Sequence, residues 1–236
     1  MHVSALPDDS AFSLNPSDSS PTVQDRVYRH ISFMLMSGCF SPGETVSLRQ
    51  LSSALRVSEM PVRNALNRLT AESAIELLPN RKHRVPTLNR SQFDELTRVR
   101  TLLETDISAD AYRRATRTDV KMLEGINSEL LAAIEQKQTQ KCIEYNQRFH
   151  MSFYLIAERP LTFSLIFNLW LRAGAFMHAT LRSDSIRWRA SQHEALISSL
   201  KMKNLDAAVA AIRSDINETY NEIISLPKHL IFPLDA

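Results

Sequence analysis

Hydrophobic residues recur at helical spacing along most of the chain, and the pattern breaks in one place only. Val23, Val27, Ile31 and Met34/Leu35 predict a first amphipathic helix, closed by a Ser41-Pro42-Gly43-Glu44 turn. Leu48, Leu51 and Leu55 predict a second, with Ser47 and Gln50 forming an S-x-x-Q capping box at its start. A third follows after a tight turn. Ser58 stands at its cap, Pro61 falls in its first turn, and Val62, Ala65, Leu66 and Leu69 make its buried stripe. Then the period changes. Residues 74–79 (AIELLP) and 83–88 (HRVPTL) are short extended runs bracketing Asn80-Arg81-Lys82.

From Ser91 onward only helices are predicted. Leu96, Val99, Leu103 and Ile107 mark a long one, and Leu123, Ile126, Leu130 and Ile134 the next. Others are expected at 139–157, about 161–182, 185–202 and 205–225, with Pro160 between two of them and Pro227 ending the last. The expected fold is mainly α: a winged helix-turn-helix at 22–88, then an all-helical bundle at 89–236 with room for a ligand or metal between facing helices. Residues 1–21, rich in Ser, Asp and Pro, read as a mobile tail.

Residues 47–69 carry the first functional signal. Arg63, Asn64, Asn67 and Arg68 lie opposite the buried stripe of the third helix, a polar, cationic face suited to a major groove. An ordinary helical hairpin with solvated Arg and Asn fits the same spacing. The helices around it and the basic wing shift the balance. Residues PGE (42–44), LSSALRVSEMPVRNALNRL (51–69) and the wing (81–84) closely resemble the GntR family of bacterial transcription regulators, in order and spacing across 22–88. The resemblance implies DNA contacts from Arg49, Ser58, Glu59, Arg63, Asn64, Asn67, Arg68, Arg81, Lys82 and His83. Two departures stand out. Glu59 occupies a position where relatives place Arg, and Arg81-Lys82-His83-Arg84 replaces their R-G wing tip. An acid at 59 repels phosphate but can accept from cytosine N4, which redirects base preference.

The segments RVRTLLE (98–104), NQRFH (146–150), SQHEALISSL (191–200) and LDAAVAAIRSD (205–215) resemble the FCD effector-binding domain of the FadR-like subfamily. By that resemblance Asn146, His150, His193 and Asp215 stand at the ligand positions for a divalent metal (zinc, nickel or manganese). An amide replaces the family's first carboxylate, and a carboxylate replaces its last imidazole. Helical spacing agrees that Asn146, His150 and Asp215 face the bundle core, where an unpartnered carboxylate is costly. The resemblance further implies a homodimer, double-stranded operator DNA as partner, repression, and a small carboxylic acid as effector, with Arg100 its candidate cation. Arg100 also fits a plain helix-surface pair with Glu104. A metal-dependent hydrolase and a metal-free effector pocket are the alternatives. No clear nucleophile–base pair or Gly-rich phosphate loop supports an enzyme.

Charge and composition adjust this picture modestly. Residues 22–88 hold nine Lys/Arg against five acids, the tail before them three Asp and no base, and the remainder is near neutral. That places a modest positive field on the expected DNA-binding part. No apolar run is long enough for a membrane span, and the start of the chain lacks a signal-peptide pattern. Cys39 and Cys142, one in each part, suggest reduced thiols, so a cytoplasmic location is expected.

Overall fold

The computed structural model describes residues 22–181, 188–227 and 231–232. In chain order the elements are α1 (Val23–Met36), β1 (Thr45–Val46), α2 (Leu48–Leu55), α3 (Glu59–Ala71), β2 (Glu76–Leu77), β3 (His83–Arg84), α4 (Arg90–Arg114), α5 (Arg117–Glu135), α6 (Thr139–Leu155), α7 (Pro160–Leu181), α8 (Ser191–Met202) and α9 (Leu205–Ser225). The expected class holds: a winged helix-turn-helix followed by a helical bundle.

Local sequence sets the helix starts. Thr22 with Asp25, Asn89 with Gln92, and Thr116 with Asp119 form reciprocal capping boxes at α1, α4 and α5. Ser47 caps α2 by accepting from the Gln50 amide, whereas Ser58 occupies the cap position of α3 without a side-chain cap bond. The helix expected at 185–202 begins instead at Ser191. Residues 188–190 are irregular because Trp188 and Ala190 pack onto Leu130, Ala133 and Cys142 rather than continuing α8. Residues 1–21 and 185–187 lie outside the described residues.

The sheet has one strand more than the sequence pattern suggested. β3 is central, pairing antiparallel with both β1 and β2. The Gly43 turn, at φ 77°, brings Thr45-Val46 alongside it. At the wing tip the Arg81 amide donates to the Leu78 carbonyl and the Leu78 amide to Lys82 (both 2.9 Å), with Arg81 at φ 61°. This is a three-residue hairpin loop whose last residue takes a conformation that glycine adopts without strain. Asn80 steadies it by accepting from the Lys82 amide.

The apolar core runs without a break from the winged part into the bundle. Val27, Ile31 and Leu35 of α1 belong to the same cluster as Ile166, Trp170 and Leu171 of α7. Two glycines make that junction possible. A Cβ on Gly174 would collide with the Leu35 carbonyl oxygen and the Met36 Cα, and one on Gly38 (φ 70°) would lie 2.5 Å from the His178 amide nitrogen. Backbone therefore meets backbone. His178 fastens the crossing, its Nδ1 2.8 Å from the Gly38 carbonyl and its Nε2 3.1 Å from Ser41 Oγ.

Substituting these glycines tests the packing. Gly174→Ala is expected to cost about 1–3 kcal/mol through overpacking. Gly125→Ala, with open space around its added methyl, is expected to stabilise α5 by roughly 0.5–1 kcal/mol. Urea denaturation of both variants checks this. Equal midpoints would show that the junction yields at little cost.

Candidate functional site

Two surfaces carry the candidate residues. On the winged part, Arg63 and Asn67 project from the exposed side of α3, Asn64 is half-buried, and Arg49 is exposed on α2. Glu59 and Arg63 form an i,i+4 pair at 3.7 Å with both side chains more than half exposed. Such a pair is worth little in water, so Arg63 can exchange it for a base or phosphate at small cost. Arg68 is differently employed. Its guanidinium lies 3.7 Å over the Tyr28 ring and its Nε donates to Glu72, which also accepts the Tyr28 hydroxyl at 2.7 Å. Arg68 thus ties α3 to α1 while its side chain stays more than half exposed.

The wing tip presents Arg81 and Lys82 to solvent. His83, expected beside them, is buried in β3 opposite Val46 and Leu77. Strand alternation turns position 83 inward and 84 outward, where Arg84 pairs with Glu76 at 2.6 Å. Burial first, and the nearby Arg63 charge second, push the His83 pKa down. A neutral inward imidazole is not a DNA contact, and that assignment is corrected.

In the bundle, α6 supplies His150, α8 His193 and α9 Asp215. The three offer ligand atoms that all lie within 4.8 Å of one another. The two Nε2 atoms are 3.2 Å apart, His150 Nε2 is 3.0 Å from Asp215 Oδ2, and His193 Nε2 is 3.9 Å from Oδ1. Both imidazoles are buried, and His193 stacks on Phe149 with ring centroids 3.8 Å apart. Burial, reinforced by the neighbouring His150 and opposed by Asp215, pushes the His193 pKa down to about 3. Burial alone would raise Asp215, but His150, His193 and Arg100 outweigh it and hold the carboxyl below its usual range.

The far side of each ring is occupied. His150 Nδ1 is 3.2 Å from the Tyr154 hydroxyl, which donates to Glu104 Oε2 at 2.7 Å; Arg100 Nε donates to Glu104 Oε1 at 2.7 Å. With its own proton spent on Glu104, Tyr154 accepts from His150 Nδ1–H, which turns Nε2 toward His193 and Asp215. His193 Nδ1 lies 3.2 Å from Asn127 Oδ1, which accepts in the same way. Two imidazole Nε2 atoms and a carboxylate therefore converge. Two nitrogens bound at about 2.0–2.1 Å in tetrahedral geometry stand roughly 3.3 Å apart, so the donor set fits a divalent cation.

Asn146 lies one turn before His150 on α6. It lines a small, partly open cavity beside the cluster, shared with Arg100, Trp170, Gly174, Asp215 and Thr219. Arg100 makes the expected pair with Glu104 and also faces this cavity, held 4.6 Å over Trp170. The helix pair with Glu104 is present, and the same side chain borders the cavity. Asn127 and Tyr154 went unnoticed in the sequence, and Glu104 was expected only as a helix-surface partner of Arg100. Each was visible as a polar residue at helical spacing from an apolar stripe or a candidate ligand.

The comparisons with known proteins agree with this geometry. The model of the gntR family of bacterial regulatory proteins matches residues 23–85, and that of the FCD domain matches 95–218. The transcriptional regulator McbR of Escherichia coli K12 is 28% identical over 182 residues, 76% of this chain and 82% of its own. The transcriptional repressor RspR of the same organism is 26% identical over 210 residues, 87% and 89% of the two chains. The solved structure of E. coli McbR/YncC superposes with a TM-score of 0.82 at 24% identity, covering 87% of this chain and 99% of that one. These relatives are named regulators, not enzymes, and no described helix is long and apolar enough to cross a membrane. The chain belongs to the GntR family of DNA-binding transcription regulators and carries the FCD effector domain.

Proposed function

We propose that this regulator senses a small carboxylic acid through a divalent cation held by His150, His193 and Asp215. The observation that carries the reading is the convergence of two imidazole Nε2 atoms and a carboxylate within 4.8 Å of one another. Three ligand atoms so close together suit one shared cation. Arg100 and Asn146 border the same cavity, so an effector carboxylate completes the coordination while pairing with the guanidinium. Residues 22–88 serve as the DNA-reading part and 89–236 as the sensor. Met36, the last residue of α1, lines the cavity, so its occupant touches the DNA-reading part directly. RspR is named a repressor, and the same sign of regulation is proposed here.

A dimer is proposed through the outer face of α4 and α7. The Arg159–Asp106 and Phe93–Phe176 contacts fix these helices antiparallel, which brings Leu102, Leu161 and Leu165 to neighbouring levels. All three are exposed, at 65%, 75% and 48%. An apolar patch of this kind marks an interface, and a two-fold pair of half-sites calls for a second copy.

Three measurements follow. In calorimetry on chelator-treated protein, zinc, nickel or manganese is expected to bind at micromolar concentrations or tighter. Asp215→Ala should abolish uptake and Asn146→Asp strengthen it. Effector binding without any metal uptake would replace the cation by a metal-free pocket. For DNA, Arg63→Ala should lose about 1–3 kcal/mol on operator with reduced discrimination. Lys82→Ala should weaken all sequences alike and lower the salt slope by roughly 1. Unchanged operator binding by Arg63→Ala would remove α3 as the reading helix. Finally, Leu161→Glu with Leu165→Glu should convert a dimer to a monomer in analytical ultracentrifugation. A persistent dimer places the interface elsewhere.

A further inference from the structure

The exposed face of α3 carries an acid and a thioether at the end that leads into a groove. Positions 59, 60, 63 and 67 are exposed, while Val62, Ala65, Leu66 and Leu69 are buried. Glu59 and Met60 open the helix, and Met60 is 62% exposed. Residues at the start of a reading helix are the ones that reach base edges. Neither side chain serves the DNA backbone. A carboxylate repels phosphate, and a thioether offers it no donor. Glu59 does pair with Arg63, but at 3.7 Å, with both side chains more than half exposed, the pair holds neither in place.

The base edges decide what each side chain can read. In the major groove guanine shows two acceptors, adenine an acceptor beside its amine, and thymine an acceptor beside its methyl. Cytosine alone shows a donor without an acceptor. A carboxylate only accepts, so every edge except that of cytosine sets an acceptor against it. Arg63 only donates and fits guanine by the same rule. For Met60 the match is apolar, and the one apolar group on these edges is the thymine C5-methyl. We infer that Glu59 and Met60 set the sequence preference of each half-site, Glu59 by selecting a cytosine and Met60 by packing on a thymine methyl.

The inference rests on the reading of α3 as the helix in the groove. Two plainer roles compete for the acid. At the first position of α3 it complements the helix dipole, and as a pair it steadies Arg63. Neither role creates a new base preference when the carboxylate becomes an amide. A base contact does. Gln keeps the size and position of Glu, adds a donor, and pairs bidentately with adenine N6 and N7. Glu59→Gln therefore moves the preference from cytosine to adenine instead of removing it.

The test recovers binding sites from random duplexes with the full-length parent, Glu59→Gln, Met60→Ala and Arg63→Ala, then titrates the selected duplexes. The parent motif is expected to hold a cytosine and a thymine close to the guanine whose selection Arg63→Ala relaxes. Glu59→Gln should recover adenine in place of that cytosine, preferred by about 5-fold or more, with the other positions kept. Replacing the thymine by deoxyuridine, which lacks only the methyl, should weaken the parent about 3-fold and leave Met60→Ala unaffected. The parent motif recovered unchanged by Glu59→Gln, or a weakened guanine preference with no gain of adenine, overturns the cytosine contact. A parent indifferent to deoxyuridine overturns the thymine contact. If Arg63→Ala also recovers the parent motif, or the parent recovers none, α3 itself is not the reading helix, and it is that underlying reading that fails.

Discussion

The crossing of α1 and α7 at Gly174 is the constraint on which the rest of the molecule depends. Because no side chain separates the Gly174 backbone from Leu35 and Met36, α1 is packed as a member of the bundle rather than held at the end of a tether. The same crossing places Met36 in the cavity wall. From there the connection to DNA is short. Tyr28 on α1, Arg68 and Glu72 at the end of α3 form one stacked and hydrogen-bonded unit, so α1 and α3 move together. Close-packed interfaces of this kind tend to switch between discrete arrangements instead of deforming smoothly.

The bundle interior accepts a large polar content to build its sensor. Glu104, Tyr154, His150 and His193 are all essentially removed from water. Buried charge is tolerable only when paired, and Arg100 supplies the pairing for Glu104 through a guanidinium that itself faces the cavity. One arginine therefore has two duties. It neutralises the carboxylate that anchors Tyr154, and it presents positive charge to whatever enters beside Asp215. The Tyr154 link then carries this arrangement to His150, and Asn127 does the same for His193 from α5. Metal-ligating imidazoles are generally oriented in this way by the partner of their second nitrogen.

Much of this was legible in the chain itself. Amphipathic spacing and capping residues gave the helices, because those signals are local. His150 and Asp215 could be placed inward because they interrupt apolar stripes on α6 and α9. The third strand escaped notice because two residues, Thr45-Val46, carry no periodicity, and only their register with β3 makes them a strand. His83 was misplaced for a related reason. A run of four basic or titratable residues looks uniform in sequence, but the loop geometry at Arg81 decides which of them faces the sheet. The tie from Arg68 to Tyr28 and Glu72 was not legible because those partners come together only after α1 packs on α3.

The donor set also explains how two departures from the family pattern can coexist. Asn146 stands where the resemblance implies a carboxylate, and Asp215 where it implies an imidazole. Either change alone would alter the charge of the cluster by one unit; together they leave it unchanged and move the negative charge from α6 to α9. That move has consequences. Asp215 now sits against both Nε2 atoms and within the field of Arg100, which helps keep it ionised despite burial. The set becomes two nitrogens with one carboxylate oxygen and, from Asn146, a neutral amide oxygen at the cavity wall. More oxygen and less imidazole makes this a harder donor set than the one the resemblance implies.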